Sequence, residues 1–156
     1  MNLSKFFILS IFTFAFSLFI SPVSAQMQSH VSWKFEAKKK AGGIYNIIAT
    51  ATVDKPWHIY SQNTGKGGPV PTKFTFKVNP LIIVVGKTIE TGKLEKIFDN
   101  NFKTEVLFYG NSVTFTQTVK LKGKAKTNFS GVVEYMVCND EQCLPPTKKT
   151  FDLPLQ

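Results

Sequence analysis

The amino-acid sequence predicts an all-β domain with an immunoglobulin-like β-sandwich fold, on two observations. Apolar and polar residues alternate along several short segments that are rich in β-branched and aromatic residues, which is the pattern of half-buried strands. Turn-forming residues separate these segments, and no segment of useful length repeats its apolar residues at helical spacing. Many short strands over about 130 residues are typical of an immunoglobulin-like sandwich, and a closed barrel is the alternative.

Six segments carry the strand pattern. The clearest alternation places Phe74, Phe76 and Val78 on one face of a strand, with lysine and threonine on the other. In chain order the predicted strands are residues 31–37, 44–53, 73–78, 112–121, 131–138 and 147–155. The predicted breaks are residues 41–43, 63–71, 79–80, 100–101, 110–111 and Gly123. Residues 81–85 are apolar and predict a short buried strand at most.

Residues 1–25 have the order of a secretory signal peptide. Lys5 supplies a positive charge, residues 6–20 are almost wholly apolar, and residues 23–25 provide the small side chains that a signal peptidase needs. An uncleaved membrane anchor is the alternative, but the apolar run falls short of the roughly 20 residues that a spanning helix needs. We therefore expect cleavage after Ala25, which leaves residues 26–156 as one exported domain.

The balance of charge is basic, with a formal net charge of +9, and every basic residue except histidine is lysine. Proteins that read nucleic-acid sequence depend on arginine for bidentate contacts to bases, and this chain has no arginine. We therefore expect no nucleic-acid partner. A solvated, lysine-rich surface that keeps the domain soluble explains the charge; attraction to an acidic partner or to an anionic membrane surface is the alternative.

The chain has two cysteines, Cys138 and Cys143, which are separated by four residues. Asn139 and Asp140 favour a turn between them. A hairpin at this turn would bring the two Cβ atoms to the short separation that a disulfide requires, and an exported protein meets oxidising conditions. The sequence thus predicts a Cys138–Cys143 disulfide.

The spacing of the two cysteines alone does not decide whether the disulfide is structural or redox-active. Closing so short a loop contributes only about 2 kcal/mol, and a domain of this size needs no staple. Such a hairpin suits a bond that opens and closes, yet hairpin disulfides that only stabilise are common in exported proteins. Asp140 and Glu141 lie between the cysteines and disfavour a thiolate, so we expect a sluggish nucleophile.

Three segments resemble one known family. The pattern Cys-x4-Cys-Leu-Pro-Pro at residues 138–146 resembles the N-terminal periplasmic domain of the thiol:disulfide interchange protein DsbD. Phe108-Tyr109-Gly110, just before a predicted strand, resembles the cap loop of that family. Residues 56–61, Pro-Trp-His-Ile-Tyr-Ser, are similar to the aromatic strand near its active site. The three segments follow the order of the family along most of the predicted domain.

The resemblance implies a periplasmic thiol–disulfide oxidoreductase of the protein-disulfide reductase type that needs no cofactor. It implies that the reduced cysteine pair passes electrons to oxidised thioredoxin-like proteins and is reduced again by a thioredoxin-like domain. Full-length family members continue into a membrane-spanning region and a thioredoxin-like domain, whereas the sequence given ends at Gln156. We therefore expect its reductant, a membrane electron transporter of the DsbD type, to act in trans; a stand-alone domain that has taken on another task is the alternative.

The resemblance also implies roles for single residues. Cys143 would form the mixed disulfide with the partner, and Cys138 would resolve it. Phe108 would be the cap that covers the disulfide and moves aside on docking, while Tyr109 and Gly110 would shape the cap loop. An apolar ring over a disulfide excludes small thiols, and a docking partner can displace it.

The resemblance also implies that two residues of the aromatic strand lie beside the cysteine pair. Tyr60 matches an aromatic residue beside the cysteines, and His58 stands where the best-known member has a phenol. That member also has five residues between its cysteines, and acidic residues where this chain has Val106 and Leu107.

The sequence leaves two alternatives to redox exchange. The first is a non-enzymatic, exported interaction module in which the disulfide is a structural clip. The second is metal binding, since the soft ligands that suit Cu(I) are present in Met27, His30, His58, Met136 and the two cysteines. Because these residues show no tight ligand spacing, we expect no metal site.

Overall fold

The computed structural model describes residues 29–100 and 102–156, so the predicted signal peptide at residues 1–25 lies outside the described residues. The described residues form nine strands and a single 3₁₀ turn at Ala41–Gly43. The strands are β1 (Val31–Lys39), β2 (Ile44–Val53), β3 (His58–Tyr60), β4 (Lys73–Phe76), β5 (Ile82–Asp99), β6 (Thr104–Leu121), β7 (Thr127–Tyr135), β8 (Val137–Cys138) and β9 (Thr147–Leu155). Within this part of the chain, no helix is long and apolar enough to cross a membrane.

The strands form two antiparallel sheets. The larger sheet has the order β1-β2-β6-β3-β8, and β5 also pairs with β6. β4, β7 and β9 make up the smaller sheet, with β7 in the middle. β5 pairs with both halves of β6, so β2 and β3 follow one another along the other edge of β6. This arrangement leaves β3 and β8 as a short extension at one end of the larger sheet.

Two clusters of buried side chains fill the space between the sheets. The first cluster joins Phe115 of β6 to Val133 of β7, and the second joins Val119 of β6 to Phe129 of β7 and Phe151 of β9. Each cluster takes residues from both sheets, as the core of a sandwich does. Full burial of one such side chain stabilises the fold by about 1.5–3 kcal/mol. The structure therefore confirms the predicted all-β sandwich.

Two of the predicted strands have the same bounds in the structure. β2 and β9 have the predicted bounds, because one face of each strand is buried against the other sheet. β1 extends two residues beyond the prediction and β4 ends two residues earlier, at Phe76. The predicted strand at residues 131–138 is two strands, since β7 belongs to the smaller sheet and β8 to the larger.

The predicted break at residues 110–111 is wrong. β6 runs through Gly110 and Asn111 without ending, and Asn111 has a left-handed φ of 60°. The register against β5 shifts here: Gly92 pairs with Val113, whereas Leu94 pairs with Tyr109. The extra residues in β6 form a bulge, which bends a strand without ending it. The bulge lies where β6 changes its neighbour from β2 to β3.

Residues 81–85 were expected to form a short buried strand, and this prediction is also wrong. Residues 82–85 begin β5, an 18-residue strand that pairs with no described strand other than β6. Ile83, Val84 and Val85 are 44–45% exposed, so this part of the strand is not buried. The second half of β5 and the first half of β6 form a long hairpin that the sequence patterns do not predict.

Candidate functional site

Three neighbouring strands bring most of the predicted site residues to one face of the larger sheet. His58 of β3 lies opposite Cys138 of β8, and Tyr60 of β3 lies opposite Phe108 of β6. Residues that are directly opposite in an antiparallel pair project from the same face, and so do residues two apart along one strand. His58, Tyr60, Phe108 and Cys138 therefore share one face, which is the outer face of the sandwich.

The alternate residues of the same strands face the core. Ile59, Tyr109 and Val137 are at most 5% exposed and belong to the first core cluster. Tyr109 therefore packs inside the sandwich and does not line the cysteine site. Gly110 lies opposite His58, and a Cβ atom placed on it would meet no atom within 4 Å. Space alone does not require a glycine there.

The cysteine pair closes a tight hairpin at the end of β8. Cys138 and Cys143 form a disulfide with a Cα–Cα separation of 4.1 Å. The Asn139 side-chain oxygen accepts hydrogen bonds from the backbone N–H groups of Glu141 and Gln142, at 3.0 and 2.8 Å. This turn explains why the chain reverses between the cysteines, and it confirms the predicted hairpin and disulfide.

The two cysteines have different surroundings. Cys138 is 2% exposed and packs among Tyr60, Val106, Phe108 and Met136. Cys143 is exposed to solvent. An attacking thiolate therefore reaches the sulfur of Cys143 more easily than that of Cys138.

Phe108 packs on the Cys138 side of the disulfide. Its ring is half-buried, contacts the cluster around Cys138, and lies 4.4 Å from the ring of His58, centroid to centroid. Residues 108–110, expected to form a cap loop before a strand, lie inside β6. Phe108 pairs with Tyr60 of β3 on one side and with Glu95 of β5 on the other. The ring is consequently held by a paired strand.

A cavity of about 490 Å³ opens beside the disulfide. His58 and Tyr60 line it from β3, residues 138–143 line it from the hairpin, and residues 97–100 line it from the end of β5. Ile97 and Phe98 of β5 are 47% and 60% exposed. Sequence patterns gave no indication of these β5 residues, because only the folding of the long hairpin brings them to a site some forty positions further along the chain.

His58 and Tyr60 form a polar pair beside Cys138. The Nε2 atom of His58 lies 3.1 Å from the Tyr60 hydroxyl. Burial lowers the pKa of His58 below its ordinary value of 6.5, although the negative charges of Asp140, Asp99 and Glu95 oppose this shift. Burial, with a smaller contribution from Asp99, raises the pKa of Tyr60 far above its ordinary range. Near neutral pH the pair is therefore a neutral imidazole and a neutral phenol.

A second polar cluster holds the loop that follows β3. The carboxylate of Glu90 accepts hydrogen bonds from the Ser61 hydroxyl, from the Gln62 backbone N–H at 3.0 Å and from the Asn63 side-chain amide at 2.9 Å. Burial and Glu90 together raise the pKa of Tyr109 to about 12. Glu90 thereby ties β5 to the loop that leaves the site.

The structure shows no metal centre among its described residues, where no three His, Cys, Asp or Glu side chains come close enough to share an ion. His30 packs against the domain. Its ring stacks on Trp57 with 4.1 Å between ring centroids, and its Nδ1 atom lies 3.8 Å from Asp54.

Fold and site together define an immunoglobulin-like sandwich with a disulfide hairpin at one end of its larger sheet. One cysteine of the hairpin is buried and the other is exposed. The model of one family, described as the N-terminal region of the thiol:disulfide interchange protein DsbD, matches residues 24–155. The chain belongs to this family, and the Cys138–Cys143 disulfide fits thiol–disulfide exchange. No curated protein sequence matches the chain.

Solved structures share the fold. The N-terminal periplasmic domain of ScsB from Proteus mirabilis is 19% identical with a TM-score of 0.62; the match covers 82% of this chain and 47% of that one. The chain thus spans about half of that structure. The reduced DsbD N-terminal domain from Neisseria meningitidis is 17% identical with a TM-score of 0.52, covering 77% and 82% of the two chains.

A third structure holds the complex between the DsbD N-terminal and PilB N-terminal domains from Neisseria meningitidis. The match has 12% identity and a TM-score of 0.54, and it covers 86% of each chain. At these identities the likeness concerns the fold, and it confirms the predicted immunoglobulin-like sandwich.

Proposed function

We propose that this protein is an exported thiol–disulfide exchange domain that passes reducing equivalents between thioredoxin-like proteins through a reversible Cys138–Cys143 disulfide. The observation that carries the proposal is the contrast between an exposed Cys143 and a Cys138 that is 2% exposed. Family membership supports the same chemistry. A purely structural clip needs no such contrast between its two sulfurs.

The exchange follows from this contrast. In the reduced protein, the sulfur of Cys143 attacks the disulfide of an oxidised partner, so one bond forms to the partner and one partner sulfur leaves as a thiolate. Cys138 then attacks the sulfur of Cys143, which forms the intramolecular disulfide and releases the second partner sulfur. Two electrons pass to the partner, and no cofactor is needed.

Phe108 serves as the cap in this scheme. Its ring packs against the cluster that contains the buried Cys138, and in this proposal it shields that sulfur from water. When a small thiol reduces the disulfide at Cys143, the sulfur of Cys138 leaves as a thiolate, which an apolar environment disfavours. A docked partner that moves the ring would remove this obstacle, so the cap favours proteins over small thiols.

The partners follow from the family. A solved relative pairs the DsbD N-terminal domain with the PilB N-terminal domain, which supports a protein partner for the cysteine face. We assign the oxidised partners to the thioredoxin-like class and the reductant to a membrane electron transporter of the DsbD type. Residues 1–25 act as a cleaved signal peptide in this proposal, and residues 26–156 work in the periplasm.

Mixed-disulfide trapping tests the roles of the two cysteines. Cys138→Ser leaves Cys143 able to attack but removes the residue that resolves, so the variant is expected to accumulate a covalent complex with an oxidised thioredoxin-like protein. Cys143→Ser is expected to form no such complex, because its remaining thiol is buried. Non-reducing electrophoresis and mass spectrometry would count the adducts, and equal trapping by both variants would contradict the assignment.

A further inference from the structure

We propose that His58 accepts the proton of the Cys138 thiol when Cys138 resolves the mixed disulfide on Cys143. This inference rests on the proposed function and deepens it by assigning a catalytic role to the histidine. It starts from the pairing of β3 with β8, in which His58 lies directly opposite Cys138. Both residues also line the cavity beside the disulfide.

Cys138 needs a base because of its surroundings. The side chain is 2% exposed and packs among aromatic and aliphatic groups, where a thiolate lacks the water that would stabilise it. A thiol is a poor nucleophile until its proton is removed. Directly opposite residues of an antiparallel pair have Cβ atoms about 4.5–5.5 Å apart, so an imidazole at position 58 lies within reach of this thiol.

The orientation of the imidazole leaves one nitrogen free to act. Nε2 lies 3.1 Å from the hydroxyl of Tyr60, and the ring of Phe108 packs against the imidazole. When Nε2 carries the hydrogen and donates it to Tyr60, Nδ1 has the lone pair that can accept the thiol proton. Tyr60 is therefore a positioning residue, since it acts through His58.

The charges around His58 suit a base of this kind. Burial keeps the pKa of His58 below its ordinary value, so the ring is neutral and able to accept a proton at neutral pH. Asp140 from the hairpin, together with Asp99 and Glu95 from β5, provides the negative charge that faces the ring. These carboxylates stabilise the imidazolium that forms when the proton arrives.

The step balances. The proton of Cys138 moves to Nδ1 of His58 while the sulfur of Cys138 bonds to the sulfur of Cys143. The bond between Cys143 and the partner breaks, and its electron pair leaves with the partner's sulfur. That thiolate takes up a proton from the imidazolium or from water. In the reverse direction the imidazolium returns its proton to Cys138 as the disulfide opens.

The test measures the resolving step without a protein partner. Reduced protein is mixed with dithiodipyridine, which is expected to modify Cys143 first and release one thiopyridone. Attack by Cys138 then releases a second, in a phase whose rate constant does not depend on reagent concentration. The rate constant is followed from about pH 5 to pH 10 for the wild type, for His58→Phe, and for His30→Phe as a control at the other histidine of the chain.

We expect an inflection below pH 6.5 in the wild type and in the His30→Phe variant, where neutral His58 becomes available. His58→Phe should lose this inflection, and its rate constant for resolution at pH 7 should be at least about tenfold lower than that of the wild type. At pH 10, where hydroxide removes the proton, the two rate constants should agree within about threefold. An equal rate ratio at both pH values, or no difference at all, would overturn the proposal. His58→Gln provides a second variant if the phenylalanine disturbs folding.

Different results would contradict the proposed function and the proposed role of His58. If trapping with thioredoxin-like proteins fails while the pH profile changes as expected, the partner class is wrong and the role of His58 stands. If trapping succeeds while the profile of His58→Phe matches the wild type, His58 is not the proton acceptor.

Discussion

Replacing Phe108 by alanine tests the cap. A fully buried phenylalanine costs about 3–5 kcal/mol when truncated to alanine, and the ring of Phe108 is half-buried against the Cys138 cluster. About 2 kcal/mol of packing over the sulfur would therefore be lost. Since 1.4 kcal/mol corresponds to a factor of ten, we expect dithiothreitol to reduce the disulfide about 10- to 30-fold faster in the variant.

The assay mixes oxidised protein with excess dithiothreitol and follows the loss of the disulfide by quenched alkylation and mass spectrometry. Phe98→Ala is the matched control, because that ring lines the same cavity but is 60% exposed and is not part of the Cys138 cluster. The control should change the rate by less than about threefold. An unchanged rate in Phe108→Ala, or equal acceleration in both variants, would refute the role of the ring.

Two further predictions concern the stability of the fold. Glu90→Gln should lower the free energy of unfolding in urea by about 1–3 kcal/mol, because charge-assisted hydrogen bonds from Ser61, Gln62 and Asn63 would weaken. Glu36→Gln removes only solvent-exposed ion pairs and should lower the free energy of unfolding much less; equal losses would contradict the role of the Glu90 cluster. Gly131→Ala should destabilise the fold by at least about 1–3 kcal/mol, since its Cβ would lie 2.7 Å from the Phe151 ring and 2.8 Å from the Thr75 carbonyl oxygen. Gly110→Ala has open space and should melt within a few degrees of the wild type; similar melting temperatures for the two glycine variants would contradict the packing described.

The cysteine hairpin was predictable because its causes are local. Asn139 follows Cys138 directly and supplies the turn oxygen, so the chain reversal and the disulfide depend on a few consecutive residues. Strands β2 and β9 were predictable for a similar reason, since one buried face fixes the alternation of each. The three motifs that resemble the family also indicated the correct fold.

The surroundings of the hairpin depend on tertiary structure. β5 is an edge strand whose apolar residues, such as Ile89, stay exposed, so its pattern lacks the alternation of a half-buried strand. Phe98 and Asp99 reach the cavity only through the long hairpin. Tyr109 follows the cap residue in sequence, yet the alternation of β6 sends it into the core. Adjacent residues of one motif thus have different environments, which a motif alone does not reveal.

The reduction potential of the Cys138–Cys143 pair tests most directly whether this bond opens and closes in use. It would be measured by equilibrating the protein with defined ratios of oxidised and reduced dithiothreitol or glutathione, and by counting alkylated cysteines with mass spectrometry. Redox exchange predicts a value between about −300 and −180 mV, where thioredoxin-like proteins operate. A value well below about −300 mV would mark the disulfide as a structural clip and would contradict the proposed function.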